Sequence, residues 1–405
     1  MHYFLTSVNN AYLPKAISLA QSVRRVYGDQ AHLTCMLSDE KAADIDYSAF
    51  DEVLTIEDLN LPVDSLESWI FKHAVVELCT AVKPWAFKHI LNKYNPDTVV
   101  YLDPDTILYS PMDELYEILK TQPVVVTPHV TVPATDTDDL LDGEMLGSLR
   151  HGVFNLGFLG IANYGQGLDF IDWWGARCLD WCYDDGPKGL FTDQRWVDLA
   201  PCFFTDMHVL RHPGYNMATW NLYYRNLSRD AEGNLWVNGD QPLRFFHFSG
   251  FDIGTHELML QKHAPNDPIL REMSDWYVNQ QADNGQERLG KRPSPYDYFA
   301  DGSKIERPWR HVYREEADLP KRFPTPYSDA GFQQWMIKRL NPAPAAASAA
   351  ATPAAPVADP SGFNQPHNET HAKIGAFLRK HPRLGAWANK NISPEMKAKI
   401  KRMIK

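Results

Sequence analysis

Val99-Val100-Tyr101-Leu102-Asp103-Pro104-Asp105-Thr106 is a short apolar run that ends in two carboxylates. It is too short for a helix, is β-branched and aromatic, and follows the turn signal Asn95-Pro96-Asp97. Together these features predict a strand buried on both faces, as in a parallel sheet. In an extended chain residues i and i+2 share a face, so Asp103 and Asp105 are expected to aim at one point. Pro104 favours this by pushing the residue before it towards extended geometry. Two hard oxygen ligands at a strand's carboxyl end suit Mg²⁺ or Mn²⁺ carrying a diphosphate. The competing reading is a strand running into a polar turn with both acids solvated.

Working outward towards the N-terminus, His2-Tyr3-Phe4-Leu5-Thr6 reads as a first strand and Ser7 to Tyr12 as a loop. A helix then runs to about Tyr27, and Leu33 to Leu37 is a second strand. This alternation is the signature of a parallel sheet with crossover helices, which takes ligands at the strands' carboxyl ends. Tyr12 sits at such an end, placed to stack on a nucleobase or simply exposed near a helix start. A helix from about Leu66 to Thr80 leads into Lys83-Pro84-Trp85, where Pro84 opens a further helix. Lys83 and Lys88 either face a diphosphate or lie on a solvated helix face.

Towards the C-terminus, Ser110-Pro111-Met112-Asp113 reads as a capped helix start, which assigns Asp113 and Glu114 to the helix dipole. Residues 131–150 are rich in Thr, Asp and Gly and read as a mobile loop over the site. Phe154-Asn155-Leu156-Gly157 opens an apolar strand whose buried amide needs partners and whose Gly157 permits close approach. Thr192 is the expected cap of a helix holding Asp193 and Gln194 in its first turn. Asn238-Gly239 signals a hairpin ahead of the strand Leu243 to Gly250, which carries His247 as a core histidine or a ligand.

With 405 residues, 44% of them hydrophobic, the chain can bury a large core, and no run approaches the roughly 18 apolar residues of a membrane span. Strand-like sequence begins at Tyr3, so no secretory leader is expected. Five scattered cysteines, an odd number without zinc spacing, fit a reducing, cytoplasmic setting, with Cys178 and Cys182 as core thiols. The net charge of −11 hides an asymmetry: residues 371–405 hold ten Lys/Arg against Glu395, a net of +9 that leaves −20 on residues 1–370. An acidic body argues against nucleic acid as the main partner.

Taken in order over residues 1–255, these segments resemble a nucleotide-sugar glycosyltransferase of the GT-A type, closest to glycosyltransferase family 8 and to a bacterial surface-glycan branch of it. Leu102-Asp103-Pro104-Asp105 is similar to its Asp-x-Asp metal motif, and Phe154-Asn155-Leu156-Gly157 to the strand that lines the donor sugar. Asp193-Gln194 is similar to the pair near the anomeric carbon, and His247-Phe248-Ser249-Gly250 to the His-x-x-Gly whose histidine completes the metal site. The resemblance implies an α/β fold, a Rossmann-like, mostly parallel mixed sheet flanked by helices. It implies Mn²⁺ or Mg²⁺ on Asp103, Asp105 and His247, and catalytic roles for Asp193 and Gln194. Donor contacts are expected from Thr6, Tyr12, Lys88, Asp103, Asn155 and Gly157. The implied reaction, hexosyltransferase-like, moves a sugar with retention from a nucleotide-diphosphate donor, a UDP-sugar, to a glycan or lipid-linked acceptor. Two departures stand out. Pro104 replaces a small residue, and Phe251-Asp252 follows Gly250 where the family carries Lys-Pro-Trp, so Lys83, Lys88 or Arg244 is the expected substitute for that lysine.

The expected organisation is a catalytic domain over 1–275, a helical extension over 276–340, an Ala/Pro-rich linker over 341–370 and a basic amphipathic tail over 371–405. In the tail Met396, Ile400, Met403 and Ile404 fall on one helical face among lysines, as in a helix lying on an anionic membrane surface. That gives peripheral attachment to the inner face of the cytoplasmic membrane as the expectation, with a partner-docking helix or a solubilising tail as its rivals. Two other functions compete: a sugar nucleotidyltransferase, and a non-catalytic sugar-nucleotide-binding protein. The first is expected to carry a Gly-rich, basic phosphate loop, and Thr6 to Asn10 has neither Gly nor Lys.

Overall fold

The apolar run is a strand in the computed structural model, which describes residues 1–133, 141–328 and 330–340. The strands begin with β1 (His2–Val8), β2 (Ala31–Leu37), β3 (Glu52–Leu54), β4 (Thr98–Leu102) and β5 (Thr106–Leu108). Next come β6 (Val124–Pro128), β7 (Phe154–Ala162), the short pair β8 (Asp184–Asp185) and β9 (Leu190–Phe191), and β10 (Met207–Val209). The last are β11 (Met217–Ala218), β12 (Leu227–Arg229), β13 (Leu235–Val237), β14 (Gln241–Pro242) and β15 (Phe245–His247).

A central sheet takes the order β10-β6-β7-β4-β1-β2-β3. Its β7 runs antiparallel to both neighbours, β4 and β6, and the other pairings are parallel. The sheet is mixed, mostly parallel and covered by helices on both faces, as expected for the α/β class. Side chains alternate along β4: Val99 and Tyr101 pack with Trp69, Phe87 and Trp174, while Val100 and Leu102 pack with Leu13, Leu19 and Leu115. The first face is covered by helices Lys83–Tyr94 and Gln166–Trp181, the second by helices Leu13–Tyr27 and Asp113–Leu119. Each such side chain contributes about 1.5–3 kcal/mol of apolar burial.

Two local expectations fail. The helix from Leu66 to Thr80 is split into Leu66–Phe71 and Val75–Ala81. His73 Nδ1 turns back to the Trp69 carbonyl (2.8 Å), and Glu77 caps the restart by accepting from the Ala74 N–H (2.7 Å). Ser110 does not cap the next helix, because its hydroxyl donates to the Leu243 carbonyl (2.8 Å) and the helix begins at Asp113. The Asn238-Gly239 turn does close a hairpin, between β13 and β14.

A second sheet, β11-β15-β5, sets His247 opposite Thr106. Helix Pro268–Asp283 runs through residue 275, and residues beyond it form further short helices. Phe299, Tyr313, Phe323 and Phe332 of this segment pack around Phe71. Arg310, buried, donates to the Phe71 carbonyl (2.9 Å). No described helix is long and apolar enough to cross a membrane. The expected linker over 341–370, the tail over 371–405 and residues 134–140 of the expected loop lie outside the described residues.

Candidate active site

β4 ends at Leu102, and the chain then turns. Thr106 N–H donates to the Asp103 carbonyl (3.0 Å), and the Thr106 hydroxyl donates to the same oxygen (2.7 Å). Asp103 to Thr106 is therefore a four-residue turn with Asp at its first position and Pro at its second, both favoured there. The two carboxylates do converge, but through this turn rather than through the pleat of a strand. Pro104 suits it by fixing the backbone at the second position. The Tyr101 hydroxyl donates to Asp103 Oδ1 (2.6 Å), and Phe248 N–H donates to the Asp105 carbonyl (2.8 Å), which brings β15 alongside.

His247 Nε2 lies 3.0 Å from Asp105 Oδ1 and 3.8 Å from Asp103 Oδ2. Ligand atoms of the three residues all fall within 4.8 Å of one another. Burial pushes the His247 pKa down, but Asp105 and Asp103 outweigh it and leave it raised; Asp105 is held low by His247 against its own burial. Two carboxylates and an imidazole held this closely are a donor set for Mn²⁺ or Mg²⁺. Room for them comes from Gly157, where a Cβ would lie 2.6 Å from His247 Cε1, 2.7 Å from Asn155 Oδ1 and 2.8 Å from Asp103 Oδ2.

Asn216 sets the imidazole's tautomer. Its Nδ2 donates to Thr127 Oγ1 (2.9 Å) and Asn155 Oδ1 (3.0 Å), so its Oδ1 faces His247 and accepts from Nδ1–H (3.2 Å). Nε2 lies 3.0 Å from Asp105 Oδ1 and donates its proton to that carboxylate; a divalent ion would replace this proton on Nε2 while Asn216 still held Nδ1–H. Asn216 has φ +50°, a left-handed conformation that asparagine tolerates and bulkier residues do not. His212-Pro213-Gly214-Tyr215-Asn216 has the composition of a turn, and the asparagine that closes it is the local signal for this role.

The cluster opens into a cleft of about 990 Å³ at the carboxyl ends of β1 and β4 and the amino end of β7. Tyr12, Lys83, Asp103, Asp105, Asn155, Asp193, Gln194 and His247 all line it. Lys83 is buried, with Nζ 3.6 Å from both Asp103 Oδ1 and Asp193 Oδ2 and 4.3 Å from the Tyr101 ring centre. Burial lowers its pKa, but the two carboxylates outweigh that and keep the ammonium charged. Asp193 is pushed up to about 6, chiefly by burial, against the pull of Lys83. Its Oδ2 has no hydrogen-bond partner.

Other expected residues fall differently. Thr192 does not cap its helix: it holds φ +45°, and helix Gln194–Val197 begins with Asp193 at the cap position and no side-chain bond there. Gln194 spends its amide on backbone, accepting from Leu156 N–H (2.9 Å) and donating to the His151 carbonyl (3.0 Å). Asn155 Oδ1 accepts from Gly157 N–H (3.1 Å) as well as from Asn216, and its Nδ2 donates to His129 Nε2 (3.1 Å). One N–H of that amide remains for a ligand. Tyr12 is 38% exposed in the cleft, and one ring face lies 3.5 Å from Lys15 Nζ, which pairs with Asp252.

Two expected donor contacts, Thr6 and Lys88, and one expected lysine substitute, Arg244, lie away from the cleft. Thr6 is fully buried and does not line the cleft, which β1 reaches only with Ser7 and Val8 at its carboxyl end. Lys88 lies on the far side of its helix, paired with Asp172 (2.7 Å) over the Trp85 ring. Arg244 is held by Glu114 and Ser110, away from the cleft. Of the three candidate lysine substitutes, Lys83 reaches the site.

No protein-family model matches the chain. The uncharacterized protein YfnF of Bacillus subtilis (strain 168) is 27% identical over 270 residues, 64% of this chain and 85% of that protein. YfnD of the same organism, also uncharacterized, is 24% identical over 259 residues, 63% of this chain and 79% of that protein. Among solved structures, galactosyltransferase LgtC with donor and acceptor sugar analogues is similar at 13% identity and a TM-score of 0.39, covering 72% of this chain and 97% of that one. Mouse xyloside xylosyltransferase 1 is similar at 12% identity and a TM-score of 0.37, covering 62% of this chain and 98% of that one. At such values the site's own geometry has to carry the functional reading.

Proposed function

We propose that the chain is a metal-dependent GT-A type glycosyltransferase that moves a sugar from a nucleoside-diphosphate donor to a glycan or lipid-linked acceptor. The observation that carries this is the convergence of Asp103, Asp105 and His247 with Lys83 and Asp193 in one cleft at the sheet's carboxyl edge. Breaking a glycosyl–phosphate bond makes negative charge on the departing diphosphate and positive charge on the anomeric carbon. A divalent ion held by Asp103, Asp105 and His247 supplies the Lewis acid for the first. Lys83, charged and buried beside Asp103, adds a second positive group there. Asp193, whose Oδ2 lacks a hydrogen-bond partner, stabilises the second charge. Gln194 is a positioning residue, holding Leu156 of β7 against His151. Tyr12 supplies the remaining ring face for the donor's base.

We further propose a UDP-sugar donor and retention of anomeric configuration, with the acceptor attacking from the leaving group's own side. NMR of the first product reads this directly, and an inverted product reassigns Asp193 as a general base.

The test is a thermal-shift screen of nucleotide sugars with Mn²⁺, followed by assay of nucleoside diphosphate release. One nucleotide sugar should raise the melting temperature by mass action, and only with metal present. Asp105→Asn should lower kcat by about 10²–10³ with the fold intact. Full activity in EDTA, or release of pyrophosphate instead, would sink the proposal.

A further inference from the structure

A second pocket, of about 560 Å³, shares no lining residue with the cleft. β5 links them: Asp105 precedes its first residue and Tyr109 follows its last, about 13 Å apart at strand rise. The pocket lies between this strand's far end, the β12–β13–β14 sheet and helix Pro268–Asp283.

Its walls combine flat aromatic surface with charge. Trp236, Trp276 and Tyr109, none of them fully buried, line it together with Arg25, Arg229 and Glu272. The Trp236 ring is held in place, its Nε1–H donating to Asp230 Oδ2 (2.8 Å) while Asp230 Oδ1 accepts from Asn234 N–H (2.7 Å). Such a ring is a rigid platform that loses little entropy on binding. Glu272 is paired with Arg229 (2.9 Å), so those charges cancel. Arg25 donates to the Leu108 carbonyl and lies over the Tyr109 ring, and among the described residues it has no carboxylate partner. The Tyr109 hydroxyl is buried with no hydrogen-bond partner.

A pyranose ring matches this chemistry. One face presents C–H groups suited to an indole, and its rim presents hydroxyls suited to hydrogen bonding. The guanidinium of Arg25, uncompensated and bidentate by nature, adds a preference for a carboxylate on that sugar. We infer that the pocket of Trp236, Trp276 and Arg25 is a second saccharide-binding site that holds a carboxylated sugar residue of a glycan away from the reacting centre. The inference rests on the pocket and not on the glycosyl-transfer reading.

Binding is therefore tested without turnover. Full-length protein is titrated with oligogalacturonate, a neutral malto-oligosaccharide and a nucleoside monophosphate, read by tryptophan fluorescence and calorimetry. Oligogalacturonate should bind saturably and at least about tenfold more tightly than the neutral sugar. Trp236→Ala should weaken it by about tenfold or more, and Arg25→Gln should remove the preference for the acid while leaving neutral-sugar binding unchanged. Circular dichroism and the melting temperature should stay native in both variants, which reports that they are folded. No saturable binding of oligogalacturonate, equal affinity for neutral and acidic sugars, or binding that survives both substitutions overturns the inference. So does capture of the nucleotide alone.

Discussion

Gly157 and Asn216 shape the corner where Asp103, Asp105 and His247 meet, without belonging to that cluster. A methyl at residue 157 meets the imidazole, an amide and a carboxylate at once, none of which can retreat without breaking the cluster. Gly157→Ala should therefore weaken Mn²⁺ binding, read by electron paramagnetic resonance, while circular dichroism stays native. Asn216→Ala frees the imidazole to choose its tautomer and should cost about 10–100-fold in Mn²⁺ affinity. Unchanged affinity in both variants would show that the corner forms without them. Asp193 bears on the rate. An acid raised to about 6 is charged above that pH and neutral below it, so kcat/KM should climb through a limb near pH 6 and level off above. Asp193→Asn should lower kcat far more than it raises KM and should erase that limb. At this scale the sequence pointed to the clustered residues more readily than to their supports. Asp103, Asp105 and His247 stand out as charged or polar residues closing apolar strands. Asn216 and Lys83 act through neighbours that only the fold brings near, from 31 and 20 residues away in the chain.

At the scale of elements, one cleft wall is fastened from outside. Helix Val75–Ala81 presents Val75, Val76, Cys79 and Thr80 to the cleft and buries Glu77 behind it. Glu77 accepts from Ala74 N–H (2.7 Å) and Asp184 N–H (2.8 Å), and lies 3.3 Å from Arg314 Nη1. Removing one partner of a buried pair leaves the other uncompensated, which typically costs about 3–5 kcal/mol. Glu77→Ala should accordingly lower the melting temperature sharply and weaken donor affinity together. A stable variant with normal affinity would show that the wall stands without this anchor. The strands, the helix start marked by Pro84 and the hairpin marked by Asn238-Gly239 were readable, because those signals are local. The break at Lys72 to Ala74 was not, since it depends on a carboxylate restarting the helix and on packing against residues beyond 290. Lys88 was misplaced for a related reason: helical spacing shows which residues share a face, but not which face meets the cleft.

For the whole molecule, the charge division between body and tail yields a prediction about location. Residues 371–405 carry ten Lys/Arg, and each near an anionic surface is worth about 1 kcal/mol. Deleting them should abolish salt-sensitive binding to anionic liposomes and leave turnover on soluble acceptors intact. Full-length protein that ignores such liposomes at low salt would assign the tail to a protein partner. A different consequence follows from how helix Leu13–Tyr27 is completed. Ser18 Oγ accepts from Gln281 Nε2 (2.9 Å) and Asn284 Nδ2 (2.8 Å), contacts 263 and 266 residues apart in the chain. β1, at the other end of that loop, lies inside the sheet between β2 and β4. At roughly 5–20 residues per second, a ribosome takes about 13–50 s to supply the last of these partners. For that interval the first helix of the nascent chain waits with one flank uncovered, so the yield of folded protein should depend on synthesis rate as well as on final stability.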